Sequence, residues 1–234
     1  MATTVTEPGL ERVERLGRIW VEPRGVLGWL TTTDHKRIGL LYFFTTLAFF
    51  GAGGIEALLM RTQLAQPNEK VLSPETYDQL MTMHGVTMIF LFVIPMTTGA
   101  FGNYLIPLMI GARDMAFPRM NALSYWLFLA SGLFMYASVF MHVAPNAGWF
   151  DYVPLALKEF NPGRNIDFYA LGLIFNAVSS TAAAINFIVT IFKLRAPGMS
   201  INRMPLFCFA MLAVSLSQIF ALPSLTIDLV YLEL

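Results

Sequence analysis

The sequence predicts an all-α membrane protein, a polytopic bundle of about five transmembrane helices. The composition is the first reason: 56% of the 234 residues are hydrophobic, 13% are charged, and the mean hydropathy is +0.60. A soluble domain carries about a quarter charged residues. The second reason is that the apolar residues gather in five runs, each long enough to cross a bilayer as a helix of about 20 residues. The third is that polar connections containing proline and glycine separate these runs.

The runs define a membrane domain over residues 37–234, preceded by a mostly polar segment, residues 1–36. We expect the spans at residues 37–60, 80–110, 121–143, 168–194 and 204–232. Fifteen basic and fifteen acidic residues cancel, so the charge gives no reason to expect nucleic acid as a partner.

The basic residues predict the orientation of the spans. Eleven lie on the side that holds the N-terminal segment and the second and fourth connections, and four lie on the other side. Because the cytoplasmic side of a membrane protein carries the excess of basic residues, we expect the N-terminus in the cytoplasm. His84 and Arg61 then lie near the outer face, and Asp114 near the inner face.

His84, at the start of the second predicted span, is the first candidate site residue. An ionisable side chain at membrane depth is costly and marks a functional candidate, and neutral imidazole is a strong ligand for haem iron. The bare backbone of Gly85 would allow a flat macrocycle to approach. At α-helical spacing, Met81, Met88 and Leu91 would share the face of His84 as an apolar wall. The alternative is a polar residue bonded to a neighbouring helix.

A six-coordinate haem needs a second axial ligand. The other histidines are His35, on the inner side before the first span, and His142, at the outer end of the third. Arg61 ends the first span on the same side as His84, where its fork of donors would bond a polar haem substituent. The commoner alternative is an interfacial arginine whose charge reaches back to water.

The second connection places Asp114 between Arg113 and Arg119. As a proton-collecting carboxylate, Asp114 would feed a path of polar side chains within the spans. These are Asn103 near the end of the second span, Asn121 at the start of the third, and a stripe of Asn176, Ser179, Ser180, Asn186 and Thr190 on the fourth. The alternatives are a salt-bridged turn with Asn121 as a helix cap, and polar groups that only bond neighbouring helices.

Two further acidic residues, Glu56 and Asp228, are predicted inside spans. Each is a functional candidate because a carboxyl group within a bilayer is costly. Their spacing from the other candidates assigns no role to either.

Seven motifs, taken in order, resemble those of subunit I of the haem-copper oxidases, in particular the bacterial aa3-type cytochrome c oxidases. They are residues 33–39 (TDHKRIG), 83–85 (MHG), 101–104 (FGNY), 114–121 (DMAFPRMN), 124–126 (SYW), 184–186 (AIN) and 195–199 (RAPGM). The resemblance runs from about Gly28 to the last residue.

The resemblance implies a fold of twelve helices around two haems and one copper. It implies that His84 is an axial ligand of the low-spin haem a and that Arg61 bonds the formyl group of that haem. Asp114 would stand at the mouth of the proton path known as the D-channel. The residues that match positions along this path are Asn103, Asn121, Asn186, Ser179 and Ser180, with Tyr42 as a further candidate.

The full enzyme would transfer electrons from cytochrome c to O2, make water and pump protons in the inner membrane of a bacterial cell. Its partners would be subunits II and III, cytochrome c and membrane lipid. Because the ligands of the second haem and of copper would follow the fifth helix, we expect this chain to be an N-terminal fragment, inactive alone. One alternative is a complete small membrane haem protein or helix-bundle transporter without oxidase activity. Another is quinol as the electron donor.

Overall fold

The computed structural model describes residues 25–68 and 70–233. Of the predicted N-terminal segment, residues 1–24 lie outside the described residues, and so do four of the arginines used to predict orientation. The chain divides into two units, Met1–Thr32 and Thr33–Leu234. In the first unit, helix α1 is a short element, Val26–Leu30.

The second unit holds five helices that are long and apolar enough to cross a membrane, which confirms the predicted all-α, five-span architecture. The described residues contain no β-strand. A short 3-10 turn, Ile201–Arg203, precedes the last helix. The five helices are α2 (His35–Gln63), α3 (Pro74–Ile110), α4 (Pro118–Phe140), α5 (Asn165–Lys193) and α6 (Leu206–Glu233).

Local signals set the ends of α3, which begins at Pro74 instead of residue 80. The hydroxyl oxygen of Ser73 accepts a hydrogen bond from the backbone N–H of Thr76 at 3.1 Å, and proline is favoured at the first helical position because it has no N–H to satisfy. At the other end, Gly111 adopts φ 71°, a left-handed conformation that glycine reaches without strain.

The middle of α3 is π-helical over Thr87–Val93 and Pro95–Gly102, and α-helical on either side. A π-helix pairs each carbonyl with the N–H five residues on, so the spacing that places residues on one face changes. The α-helical spacing expected from His84 therefore does not extend to Leu91: this residue lies in the π-helical stretch and is fully buried, whereas Met81, before that stretch, is 49% exposed.

Helix α5 packs against α4 and against α6. Helix α2 packs along α3 and also contacts α4. One buried cluster includes Tyr42 and Phe128, and a second includes Phe187 and Cys208.

The connections meet at opposite ends of the bundle. The backbone N–H of Ala196, in the fourth connection, donates to the carbonyl of Ile110 at 2.8 Å. At the other end, the N–H of Gly148 in the third connection donates to the hydroxyl of Thr82 at 2.9 Å. Asp114 therefore lies at one end of the bundle and His84 lies towards the other.

Candidate functional site

His84 is held by a hydrogen bond to the neighbouring span. Its Nδ1 lies 2.8 Å from the carbonyl oxygen of Gly53 on α2. Because a carbonyl oxygen only accepts hydrogen bonds, Nδ1 carries the proton and Nε2 keeps its lone pair. This is the arrangement that orients an imidazole as a metal ligand.

Gly53 is required by the close approach of α2 and α3. A Cβ atom there would lie 2.9 Å from Sδ of Met88 and 3.3 Å from Cγ2 of Thr87. On the same helix, a Cβ at Gly51 or Gly54 would meet nothing within 4 Å. The helix therefore presents bare backbone beside the residue that bonds His84.

Arg61 lies in the last turn of α2 and is exposed. It follows Gly54 by seven residues, which places both on one face of the helix, about 10 Å apart along its axis. The bare backbone and Arg61 therefore lie along one face of α2.

The close approach expected at Gly85 has a different cause in the structure. A Cβ atom at this position would lie 2.5 Å from Cβ of Trp149 in the third connection. Gly85 thus makes room for a tryptophan of this chain, and the expectation that it exposes backbone to a macrocycle is wrong.

The other histidines lie elsewhere. His35 is buried at the opposite end of α3, where its Nδ1 is 2.8 Å from the carbonyl oxygen of Asn103. His142 follows the end of α4 with φ 59° and lines a cavity of about 440 Å³ together with Glu56 and Tyr136. Among the described residues, no three His, Cys, Asp or Glu side chains are grouped so that they could hold a metal ion.

Asp114 is half-buried in the loop between α3 and α4, where its Oδ1 accepts the N–H of Met115 at 2.7 Å. Burial raises the pKa of this carboxyl group above its usual value, although the bond from Met115 and the nearby His35 both lower it. In the part of the chain that the structure describes, Asp114 forms no ion pair with Arg113 or Arg119, whereas Lys36 and Asp34 form one at 2.8 Å. The alternative of a salt-bridged turn is therefore wrong.

Two buried asparagines near this loop have polar atoms without partners. Both Oδ1 and Nδ2 of Asn121 lack a hydrogen bond, and so does Oδ1 of Asn103, whose Nδ2 donates to the carbonyl of Gly99. Asn121 is inside the first turn of α4 and is not its cap, which is Phe117. Buried amide groups are normally paired, so these atoms have unused hydrogen-bonding capacity of the kind that buried water satisfies.

Asn186 and Thr190 instead hold the loop backbone. Asn186 accepts the N–H of Phe117 at 2.9 Å and donates to the carbonyl of the same residue at 3.1 Å. The hydroxyl of Thr190 accepts the N–H of Ala116 at 2.9 Å. These residues fix the loop that carries Asp114 against α5.

Further into the bundle, hydroxyl groups continue the row of polar atoms. Ser124 donates to the carbonyl of Asn121 at 2.8 Å and accepts from the hydroxyl of Tyr42 at 3.3 Å. Ser179 donates to the carbonyl of Ser124 at 2.6 Å. Ser124 was not among the predicted path residues, although its spacing of three from Asn121 places it on the same face.

Tyr42, Ser179 and Ser180 line a cavity of about 10 Å³. This is roughly the space that one water molecule needs. Ser180 also donates to Oδ1 of Asn176 at 3.3 Å. The predicted polar stripe thus borders a water-sized space that all five long helices line.

Known proteins identify the family. The profile of the family described as "Cytochrome C and Quinol oxidase polypeptide I" matches residues 37–234. The chain is 48% identical over 212 residues to a putative cytochrome c oxidase subunit 1-beta of Streptomyces coelicolor, covering 90% of the chain and 37% of that protein. It is 47% identical over 204 residues to cytochrome c oxidase subunit 1 of Bacillus sp. strain PS3, covering 87% and 33%. It is 40% identical over 205 residues to quinol oxidase subunit 1 of Bacillus spizizenii, covering 88% and 31%.

The chain belongs to the cytochrome c and quinol oxidase polypeptide I family. The expected family and helix-bundle class are confirmed, and with its five apolar helices this member of the oxidase family is a multi-pass membrane protein. The chain spans about a third of the length of the three relatives named.

The surroundings of His84 fit the haem that the oxidase family implies. Nε2 of His84 is left free by the bond to Gly53. The backbone at Gly51 and Gly54 leaves space that a Cβ atom would fill. Arg61 supplies a cation on the same helix.

Proposed function

We propose that the chain is the N-terminal part of the catalytic subunit of a terminal respiratory oxidase. In the full enzyme, electrons from cytochrome c reduce O2 to water, and protons are pumped across the inner membrane of a bacterial cell. The subunit works with subunits II and III, and its N-terminus is cytoplasmic. Family membership and the similarity to cytochrome c oxidase subunits support this proposal.

His84 is proposed as an axial ligand of low-spin haem a, with Arg61 bonded to the formyl group of that haem. The observation that carries this assignment is the 2.8 Å bond from His84 to the Gly53 carbonyl, because it fixes the tautomer with Nε2 free for iron. A low-spin haem transfers electrons without binding oxygen. The second haem and the copper belong to the remainder of the full-length subunit.

Asp114 is proposed as the group that takes protons from the cytoplasmic water. The half-buried carboxyl group lies in the loop that leads into α4, and the partnerless amide atoms of Asn121 and Asn103 at this end of the bundle would hold water. Its raised pKa brings proton binding closer to neutral pH, as the uptake of a proton requires. The path would continue to Ser179 and Ser180, with Asn186 positioning the loop.

Quinol remains the second candidate for the electron donor. The observation that favours it is the quinol oxidase subunit 1 among the relatives, at 40% identity. Assaying the full-length enzyme with reduced cytochrome c and with a short-chain quinol in turn distinguishes the two donors.

The experiment that tests the haem assignment is His84→Ala in the full-length subunit, with optical spectra of the purified oxidase. Loss of the low-spin haem band, or failure of the cofactor to assemble, is expected because no neighbouring side chain replaces the lost bond. His142→Ala serves as the control that removes an imidazole outside the helices. A normal low-spin spectrum for His84→Ala would overturn the assignment.

A further inference from the structure

Glu56, Tyr136 and Thr87 form a hydrogen-bonded chain across three helices. The hydroxyl of Tyr136 on α4 donates to Oε1 of Glu56 on α2 at 3.0 Å, and it lies 2.8 Å from Oγ1 of Thr87 on α3. A tyrosine hydroxyl has a single hydrogen, so Thr87 is the donor in the second bond. One hydroxyl group therefore joins α2 to α3.

The hydrogen bonds of Tyr136 connect residues on both sides of the bond that orients His84. Glu56 follows Gly53 by three residues on α2, and Thr87 follows His84 by three residues on α3. Because α2 and α3 run in opposite directions, Glu56 and Thr87 lie on opposite sides of the His84–Gly53 bond along the helix axes. The Tyr136 hydroxyl, which reaches both, spans the level of that bond.

Packing ties the two features together. Thr87 is fully buried, and its Cγ2 is one of the atoms that a Cβ on Gly53 would meet, at 3.3 Å, after Sδ of Met88 at 2.9 Å. The threonine held by Tyr136 therefore rests against the glycine whose carbonyl receives His84.

A glutamate at position 56 is energetically unfavourable because its carboxyl group is buried. Glu56 is 7% exposed, and its Oε2 has no hydrogen-bond partner. Burying a polar group with an unmade hydrogen bond is unfavourable, and an aliphatic side chain would fill the same space without that cost. The bond to Tyr136 is the interaction that an aliphatic residue would lose.

We infer that Glu56, acting through Tyr136 and Thr87, is a positioning residue that holds the Gly53 carbonyl against His84. The inference rests on the proposed role of His84 as a haem ligand. A hydrogen bond at Nδ1 fixes the plane of the imidazole and makes Nε2 a stronger donor. Loosening the contact weakens that donation, which favours ferrous over ferric iron and raises the midpoint potential.

The test is Tyr136→Phe in the full-length oxidase, which removes one hydroxyl and keeps the ring. We expect altered g-values in the electron paramagnetic resonance spectrum of the low-spin haem. We also expect a shift of the ferric–ferrous equilibrium towards ferrous of up to about tenfold, which is about 59 mV for one electron. The matched control is Tyr125→Phe, because Tyr125 lies on the same helix and bonds Thr45 of α2 at 3.0 Å, away from His84.

A second pair of variants separates positioning from charge. Glu56→Gln keeps an oxygen that accepts from Tyr136, so the signals of the unaltered enzyme should be retained, whereas Glu56→Leu should reproduce the shift of Tyr136→Phe. Equal shifts in Glu56→Gln and Glu56→Leu would overturn the inference.

Unaltered signals in Tyr136→Phe would also overturn the inference, and so would the same change in Tyr125→Phe. If His84→Ala loses the low-spin haem while Tyr136→Phe is unaltered, the positioning inference fails and the proposed function stands. An intact low-spin haem in His84→Ala means that the proposed function itself fails.

Discussion

Nδ1 of His35 donates to the carbonyl oxygen of Asn103, the one carbonyl group in that turn of α3 whose usual α-helical donor is missing. The donor would be the N–H of residue 107, and Pro107 has none. A proline within a span is tolerated when a neighbouring helix satisfies the carbonyl that it frees. His35, at the first turn of α2, therefore has a structural role at the end of the bundle that holds Asp114.

A second proline in α3 also leaves a backbone carbonyl without its usual donor, and a neighbouring helix again supplies one. In the π-helical stretch, the carbonyl of Phe90 would pair with the N–H of residue 95, which is Pro95. Nδ2 of Asn176 on α5 donates to this carbonyl at 3.1 Å instead. The polar stripe of α5 thus includes a member whose amide completes the backbone of its neighbour.

The first prediction is that His35→Ala lowers the free energy of unfolding by about 1–3 kcal/mol, because it leaves the buried carbonyl of Asn103 without a donor. Pro107→Ala restores a backbone N–H at the position that would pair with that carbonyl. In a double-mutant cycle measured by unfolding in detergent, His35→Ala should cost less in the Pro107→Ala background. Additive effects would contradict the pairing.

The second prediction concerns the contact of α2 with α3. Gly53→Ala and Gly39→Ala should both lower stability, since a Cβ atom at Gly39 would also crowd α3, at 3.0 Å from the carbonyl oxygen of Ala100. Only Gly53→Ala should shift the optical band of the low-spin haem, because only Gly53 bonds His84. A band shift in Gly39→Ala of the same size would show that the separation of the helices alone is responsible.

The third prediction contrasts Asn121, whose amide atoms have no partners, with Asn186, whose amide holds the loop of Asp114. Asn121→Leu should leave stability unchanged or raised, because it removes a buried amide without partners, yet it should slow proton uptake. Asn186→Leu should destabilise, because it strips the backbone N–H of Phe117 of its partner and removes one of the two donors to the Phe117 carbonyl. Thermal unfolding and flow-flash proton uptake of the full-length enzyme measure the two effects separately.

The fourth prediction is that Asp114→Asn in the full-length enzyme slows turnover and abolishes pumping with both haem spectra intact. Asparagine has nearly the same size as aspartate but does not exchange protons. The proton-to-electron ratio in reconstituted vesicles is the deciding measurement, and an unchanged ratio would remove Asp114 from the path.

The same substitution has a predictable effect on stability. Since the pKa of Asp114 is raised by burial, the folded protein loses stability as pH rises from the ordinary value of 3.8 through the raised value. Asp114→Asn should therefore be at least as stable as the parent at neutral pH, and its advantage should disappear as pH falls below that window. Unfolding measured across this pH range gives the sign directly.

Fusions of reporter enzymes test the orientation as a fifth prediction. Fusions after Pro67 and after Asn161 should report the outer side, and fusions after Arg113 and after Arg195 should report the cytoplasm. An inner-side signal after Pro67 would overturn the depth assigned to His84.

The sequence was sufficient for features that depend on local composition. Five apolar runs were enough to predict five spans, and Asp114 lies in the connection between two of them, while its role stays a prediction. The partner of Gly85 was not predictable, because Trp149 comes from a connection 64 residues away in the sequence. The Glu56–Tyr136 bond joins residues 80 apart, and the π-helical stretch of α3 leaves no mark in an apolar run.

The bond between His84 and Gly53 also bears on biogenesis. The two partners lie in consecutive spans, α2 and α3, and membrane segments emerge from the ribosome in N-to-C order. The His84–Gly53 bond can therefore form once this hairpin of helices has inserted and paired, and the Tyr136 hydroxyl that holds it is added with the next span, α4. The ligand that haem insertion meets is therefore prepared in two steps, first the bond between neighbouring spans and then the hydroxyl that holds it.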